Sequence, residues 1–170
     1  MDLAELAERV VQACRTHEVT VATAESVTAG LVAATLADVP GCSQVLRGGI
    51  VAYANEVKAE VLGLPAVALE HVVSRDVAER MAGSVAVLLG ATIGAGTTGV
   101  AGPGWLDGQP PGSAWIAVHD RRGAGRTESV MVHAHGSRAQ VRAEVVRACL
   151  VLMLGAVRDG PVWDPAAVPE

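Results

Sequence analysis

VTVATAESVTAGLVAATLA, Val19 to Ala37, changes its period half-way along. Val19, Thr20, Val21, Ala22 and Thr23 alternate with many β-branched side chains and read as a strand. The other end is an uncharged run of Ala, Leu and Val at helical spacing, closing near Ala37. Between them Ala24-Glu25-Ser26-Val27-Thr28-Ala29-Gly30 forms a strand-to-helix corner that carries a carboxylate and two hydroxyls. In an open α/β sheet, ligands bind at such corners, outside the carboxyl ends of the strands. A helix N-terminus behind the corner offers free N–H groups. Ser26 has two readings: the cap of the helix that follows, or a nucleophile. For a nucleophile, the N–H groups of Val27 and Thr28 are the natural oxyanion donors. The context is not the GxSxG elbow, so that motif adds no support.

Working outward, Leu3, Leu6, Ala7, Val10, Val11 and Cys14 recur at helical spacing, so a first helix spans Asp2 to about His17 with Asp2 as its cap. Asp38-Val39-Pro40-Gly41 is turn chemistry and ends the second helix. Val45 to Tyr53 is a second strand, and Gly48-Gly49 inside it signals a bulge or a close backbone approach. Asn55 caps a short helix to about Leu62, and Ser74 caps another that stops near Gly90. Ala91–Thr98 is a buried strand, and Gly99–Gly112 a long loop with five Gly and three Pro, of the kind that is often functional. Ser113–His119 and Glu128–Ala134 pair as a hairpin. Gly136-Ser137 opens a last helix to about Val157. The order α β α β α α β β β α implies a three-layer α/β/α domain with a mixed sheet. One domain is expected over residues 1–157, with 158–170, which carries three prolines, as a flexible tail.

Composition excludes several classes. The 170 residues are 51% hydrophobic, yet include no Phe, one Tyr and three Trp, so the core must be built from Val, Leu and Ala. A net charge of −5 without a basic block argues against direct nucleic-acid binding. Cys14, Cys42 and Cys149 match neither a disulfide framework nor a metal site, and a reducing cytoplasm suits them. The acidic, amphipathic N-terminus is no signal peptide. Met81–Gly102 is uncharged for 22 residues, but its six glycines make it a helix end, a stop and a strand and not a membrane span. The five His are scattered, and His133 and His135 lack a third partner, so no metal is expected.

A serine nucleophile needs a base. The candidate is Lys58, the only lysine in the chain, in Tyr53-Ala54-Asn55-Glu56-Val57-Lys58. If Asn55 is the cap, Lys58 lies in the first helical turn. There the positive end of the dipole, with partial burial, would lower its pKa. The alternative is a solvated surface lysine. Tyr53 either relays a proton or packs at the sheet edge with a polar tip. Thr97-Thr98-Gly99-Val100-Ala101-Gly102-Pro103-Gly104 lacks the lysine of a P-loop, but its glycines permit close approach of a phosphate or carboxylate. Arg138 and Arg142 sit four apart on the last helix, either for a phosphate or as a solvated face.

The ordered set of motifs resembles a family. AES-x-T-x-G (Ala24–Gly30), DVPG (Asp38–Gly41), Y-x-N-E-x-K (Tyr53–Lys58), LG-x-P (Leu62–Pro65), TG-x-AGPG (Thr98–Gly104), W-x-A (Trp115–Ala117) and G-x-R-x-x-x-R (Gly136–Arg142) occur in one order from about Leu3 to Leu154. The set is similar to the CinA C-terminal domain family, the nicotinamide-nucleotide amidases. The resemblance implies deamidation of nicotinamide mononucleotide to nicotinate mononucleotide and ammonia in pyridine-nucleotide salvage. It implies Ser26 as nucleophile, Lys58 as base, and Tyr53 and Thr98 as supporting hydroxyls. It implies a cytoplasmic homodimer without metal or cofactor, acting on a small-molecule nucleotide and not on nucleic acid or membrane. The binding set then comprises Val27, Thr28, Asn55, Gly99, Gly102, Gly104, Arg138 and Arg142. The chain departs from the family pattern at Val27 (often Cys), Ala29 (often Gly), Ser137 (often an acid) and at Trp105 and Leu106, where glycines usually continue. It starts directly at the amidase helix, as a stand-alone version would. Two other readings stand beside this one: a non-catalytic nucleotide-binding or competence-associated interaction module, and an amidase of a different small amide.

Overall fold

The computed structural model describes residues 1–158. The elements run α1 (Leu3–Thr16), β1 (Val21–Glu25), α2 (Leu31–Ala37), β2 (Leu46–Val51), α3 (Asn55–Glu60), α4 (Arg75–Leu88), β3 (Ile93–Gly99), β4 (Ser113–Asp120), β5 (Arg126–His133) and α5 (Arg138–Val157). This is the element order expected from the sequence. The proposed tail falls, apart from Arg158, outside the described residues.

The five strands form one sheet in the order β2-β1-β3-β4-β5. β2, β1 and β3 are parallel, and β4 and β5 extend the sheet antiparallel. Helices α1, α2 and α5 cover one face with the larger core, which includes Leu6, Val10, Val32, Leu36, Val145 and Leu150. On the other face α4 and the α3 segment pack Val77, Met81 and Val85 against Leu62 and Leu64. The chain leaves β1 for β2 over one face and returns from β2 to β3 over the other. The carboxyl end of β1, between β2 and β3, is therefore a topological switch point.

Local chemistry explains the boundaries. The Asp2 side chain accepts from the Glu5 N–H at 2.8 Å, and Ser74 from the Val77 N–H at 3.3 Å. Ser137 and Gln140 form a reciprocal capping box at the start of α5. The Gly48-Gly49 signal marks both things it allows. The β1–β2 register slips between Val21 and Ala22. A Cβ on Gly49 would lie 2.6 Å from Thr23 Oγ1 and 2.9 Å from Ala33 Cβ, so α2 crosses β2 too closely for a side chain there. Among the described residues no helix is long and apolar enough to cross a membrane. The charge-free run Met81–Gly102 divides into the end of α4 and β3.

Candidate active site

The corner after β1 is not built as its pattern suggests. α2 begins at Leu31, not at the corner, and its N-cap position is Gly30. Ser26 is therefore not the cap of α2. Residues 26–30 form a separate turn, with Ala29 at φ 51° and Gly30 at φ 91°. The cap comes from the strand. Glu25, fully buried, accepts from the Val32 N–H (3.0 Å) and the Ala33 N–H (2.9 Å), and from the Thr23 hydroxyl (3.0 Å). The donors of the first turn of α2 are thereby used up. Ser26 is free to face outward, half-buried, and its hydroxyl has no hydrogen bond among the described residues. The Val27 and Thr28 N–H groups belong to the turn and not to the helix start, and neither finds an acceptor among the described residues. Glu25 was visible in the sequence as a carboxylate at the corner. Its capping role was missed because it lies six residues ahead of α2, beyond the reach of any local capping pattern.

The segment after β2 supplies the lysine. β2 ends at Val51, so Tyr53 stands two residues past the strand. Ala54, not Asn55, occupies the N-cap of α3, and Asn55 is the first helical residue. α3 has six residues, and Lys58 lies in its last turn, so the dipole reasoning fails for it. Burial, the other half of that expectation, acts alone and is complete. Lys58 is 1% exposed, the largest of the fully buried side chains, and loss of solvation lowers its pKa from 10.5, with Glu56 pulling weakly the other way. Its Nζ donates to the Tyr53 carbonyl at 3.0 Å.

A pocket of about 360 Å³ gathers these groups at the switch point. Ser26, Val27, Tyr53, Asn55, Lys58, Thr98 and Arg138 line it, together with Gly99, Gly102, Gly104, Trp105 and Leu106. Ser26 and Lys58 both line it, and no hydrogen bond joins their side chains. A larger concavity, about 560 Å³, lies along the charged face of α1 from Glu8 to His17. It contains no serine or lysine, whereas the smaller one holds both.

The remaining candidates separate. Thr98 Oγ1 gives its proton to the Val72 carbonyl at 2.7 Å, so toward a ligand it can only accept. Arg138 donates to the Tyr53 hydroxyl (2.6 Å) and to the Gly102 carbonyl (2.9 Å), tying α5 to both rims. Thr28 and Arg142 are not in the pocket lining. Thr28 is buried, its hydroxyl pairs with that of Thr97 at 2.7 Å, and its carbonyl accepts from Arg142 at 2.7 Å. Arg142 thus props the serine turn from behind. The four-residue spacing placed both arginines near one face, but α5 packs against the turn at the second and opens to the pocket at the first. Gly99 lines the pocket, yet its missing side chain serves the sheet: a Cβ there would meet Ala114 Cβ at 2.6 Å. At Gly104 a Cβ would meet nothing. Among the described residues no group of His, Cys, Asp and Glu could hold a metal ion.

The model of the CinA C-terminal domain family matches residues 3–157. A putative competence-damage inducible protein of Streptococcus pyogenes serotype M5 is 46% identical over 129 residues, or 74% of this chain and 30% of its own length. A CinA-like protein of Gemmatimonas aurantiaca is 38% identical over 149 residues, or 86% of this chain and 34% of its own. The chain spans about a third of the length of these curated relatives. Among solved structures, the competence damage-inducible protein A of Klebsiella pneumoniae superposes with a TM-score of 0.86 at 31% identity, covering 91% of this chain and 96% of that one. The competence/damage inducible protein CihA of Agrobacterium tumefaciens gives 0.85 at 31%, covering 92% and 96%.

Proposed function

The chain belongs to the CinA C-terminal domain family, and from that premise we propose that its pocket is the active site of a metal-independent amidohydrolase that deamidates nicotinamide mononucleotide. The observation that carries the reading is one pocket lined by a half-buried serine and a buried lysine of lowered pKa. A neutral amine can take a proton, and a serine hydroxyl needs such a base.

In this mechanism one N–H of Lys58 stays on the Tyr53 carbonyl, leaving the nitrogen lone pair for Ser26. Lys58 takes the Ser26 proton as Oγ bonds to the carboxamide carbon. The carbonyl electron pair moves onto oxygen, where the unpaired N–H of Val27, which lines the pocket, is available to receive it; Thr28, outside the lining, shapes the turn from behind. Lys58 returns the proton to the amide nitrogen, the C–N bond breaks and ammonia leaves. Water, deprotonated by the same amine, then cleaves the Ser26 ester to give nicotinate mononucleotide. Thr98 accepts from the carboxamide N–H₂. Arg138, with three N–H groups left after its two bonds, takes the phosphate.

Ammonia release from nicotinamide mononucleotide by the purified protein tests this directly. Ser26→Ala is expected to lower the rate by about 10³-fold or more. A parent protein that releases no ammonia would rule out the substrate. An active Ser26→Ala protein would rule out the nucleophile.

A further inference from the structure

The chain has four aromatic side chains, one Tyr and three Trp, with no Phe. None of them is fully buried among the described residues; Trp115 packs half-buried against Ala78, Ala82 and Ala117. Two of the four, Tyr53 and Trp105, line the same pocket, and both are largely open to solvent, at 56% and 70%. Leu106 beside them is 45% exposed. A protein that packs its interior with Val, Leu and Ala spends half its aromatics on one pocket. Exposed indole forgoes roughly 25 cal/mol per Å² of burial, so the position is unfavourable unless a ligand covers it.

The rim is held in place. Leu106 and Gln109 exchange backbone hydrogen bonds at 3.1 and 2.8 Å, closing a tight turn just past Trp105. Asp107 within that turn accepts from the Val73 N–H at 3.0 Å, which ties the turn to the segment ahead of α4. On the opposite rim the Tyr53 hydroxyl is held by Arg138. Trp105 is thus carried on a turn anchored across its base. An aromatic face held this way over a pocket suits a flat ring, and an indole face attracts a ring that bears positive charge.

We propose that Trp105 is a specificity-determining residue: its indole face stacks on the pyridinium ring of the substrate, with Leu106 covering the ring edge. This rests on the amidase reading above. It adds that the ring is held by the Trp105 turn, while Arg138 takes the anionic end. The step is binding only and forms no bond. Because stacking holds the ring alike before and during reaction, its loss falls on KM and leaves kcat nearly unchanged.

Two measurements test it. In ammonia release from nicotinamide mononucleotide, Trp105→Ala is expected to raise KM about tenfold with kcat within about twofold, and Trp105→Phe to restore most of the loss. An unchanged KM, or a fall in kcat alone, would overturn the proposal. The second measurement needs no turnover. Nicotinamide mononucleotide should quench tryptophan fluorescence saturably, and Trp105→Phe, which keeps Trp115 and Trp163, should lose that quenching. Quenching equal in the two proteins would overturn the stack. A parent that quenches but releases no ammonia would defeat the amidase and leave the ring site standing. The 1,4-dihydro form of the nucleotide, which lacks the ring charge, should compete about fivefold more weakly, and equal competition would overturn the charge preference.

Discussion

Glu25 and Lys58 are the two buried charge-bearing side chains among the described residues, and they are treated in opposite ways. The carboxylate at the end of β1 receives three hydrogen bonds, two from the start of α2 and one from Thr23. The amine of α3 has one, to the Tyr53 carbonyl, and otherwise faces the pocket. A buried ionisable group with its hydrogen bonds filled is part of the frame. One left with spare capacity, its charged form penalised by burial, is poised for proton transfer. The residues flanking Ser26 and those around Lys58 therefore do different jobs: the first shape the turn, the second set a proton affinity.

The sharpest way to break this contrast is Lys58→Met, which keeps length and volume but removes the amine. Ammonia release is expected to fall about 10³-fold. Stability at neutral pH is expected to rise by about 1 kcal/mol, because a desolvated amine is replaced by an apolar side chain. In the unfolded chain the amine stays charged up to its ordinary 10.5, whereas the folded protein gives up that proton at lower pH. Folding therefore carries the full cost below the folded pKa, and the cost disappears as pH rises from there to 10.5. The stability advantage of Lys58→Met should shrink over that window. Activity of the parent should rise with pH through the same folded pKa. Thermal unfolding across pH and the pH profile of kcat/KM check both, and an activity that declines as Lys58 deprotonates would reverse the assignment.

Glu25→Gln should show the opposite balance. The amide NH₂ would face an N–H donor where a carboxylate oxygen now accepts, leaving a buried group unpaired. The expected loss is about 2 kcal/mol, or roughly 4–8 °C in Tm for a chain of this size. A Glu25→Gln protein of unchanged Tm would show that the carboxylate is not part of the frame. Ala29→Gly is the smallest change. Ala29 sits at φ 51°, where a Cβ costs about 1 kcal/mol, so glycine should raise Tm by roughly 2–4 °C. The family pattern often has glycine here, and the departure acts through backbone strain in the turn and not by crowding the helix.

The contrast also marks what a sequence reader can see. Lys58 stands out because it is the chain's only lysine, in a protein that otherwise uses arginine. Of the two causes the sequence suggests for its low proton affinity, the helix dipole does not apply, because Lys58 lies in the last turn of α3, and burial does. Arg142 is the clearest misassignment. Spacing put it beside Arg138, yet it reaches back across 114 positions to the Thr28 carbonyl. The sequence places the Thr98 hydroxyl near the site, but only the structure shows that its proton is committed to the Val72 carbonyl.

By itself the sequence determined the succession of helices and strands, the caps at Asp2 and Ser74, the opening of the last helix at Gly136-Ser137, the tight approach at Gly49 and the material of the core. Each depends on residues within a turn or a strand of one another, where periodicity, capping and backbone sterics act locally. The tertiary structure alone decided that β3 lies beside β1 with β2 at the edge, that Glu25 and not Ser26 caps α2, and that Ser26, Lys58, Arg138 and Trp105 share one pocket. Those outcomes are long-range. They follow from how a twisted sheet is wound on both faces and from which buried polar groups must find partners once water is gone.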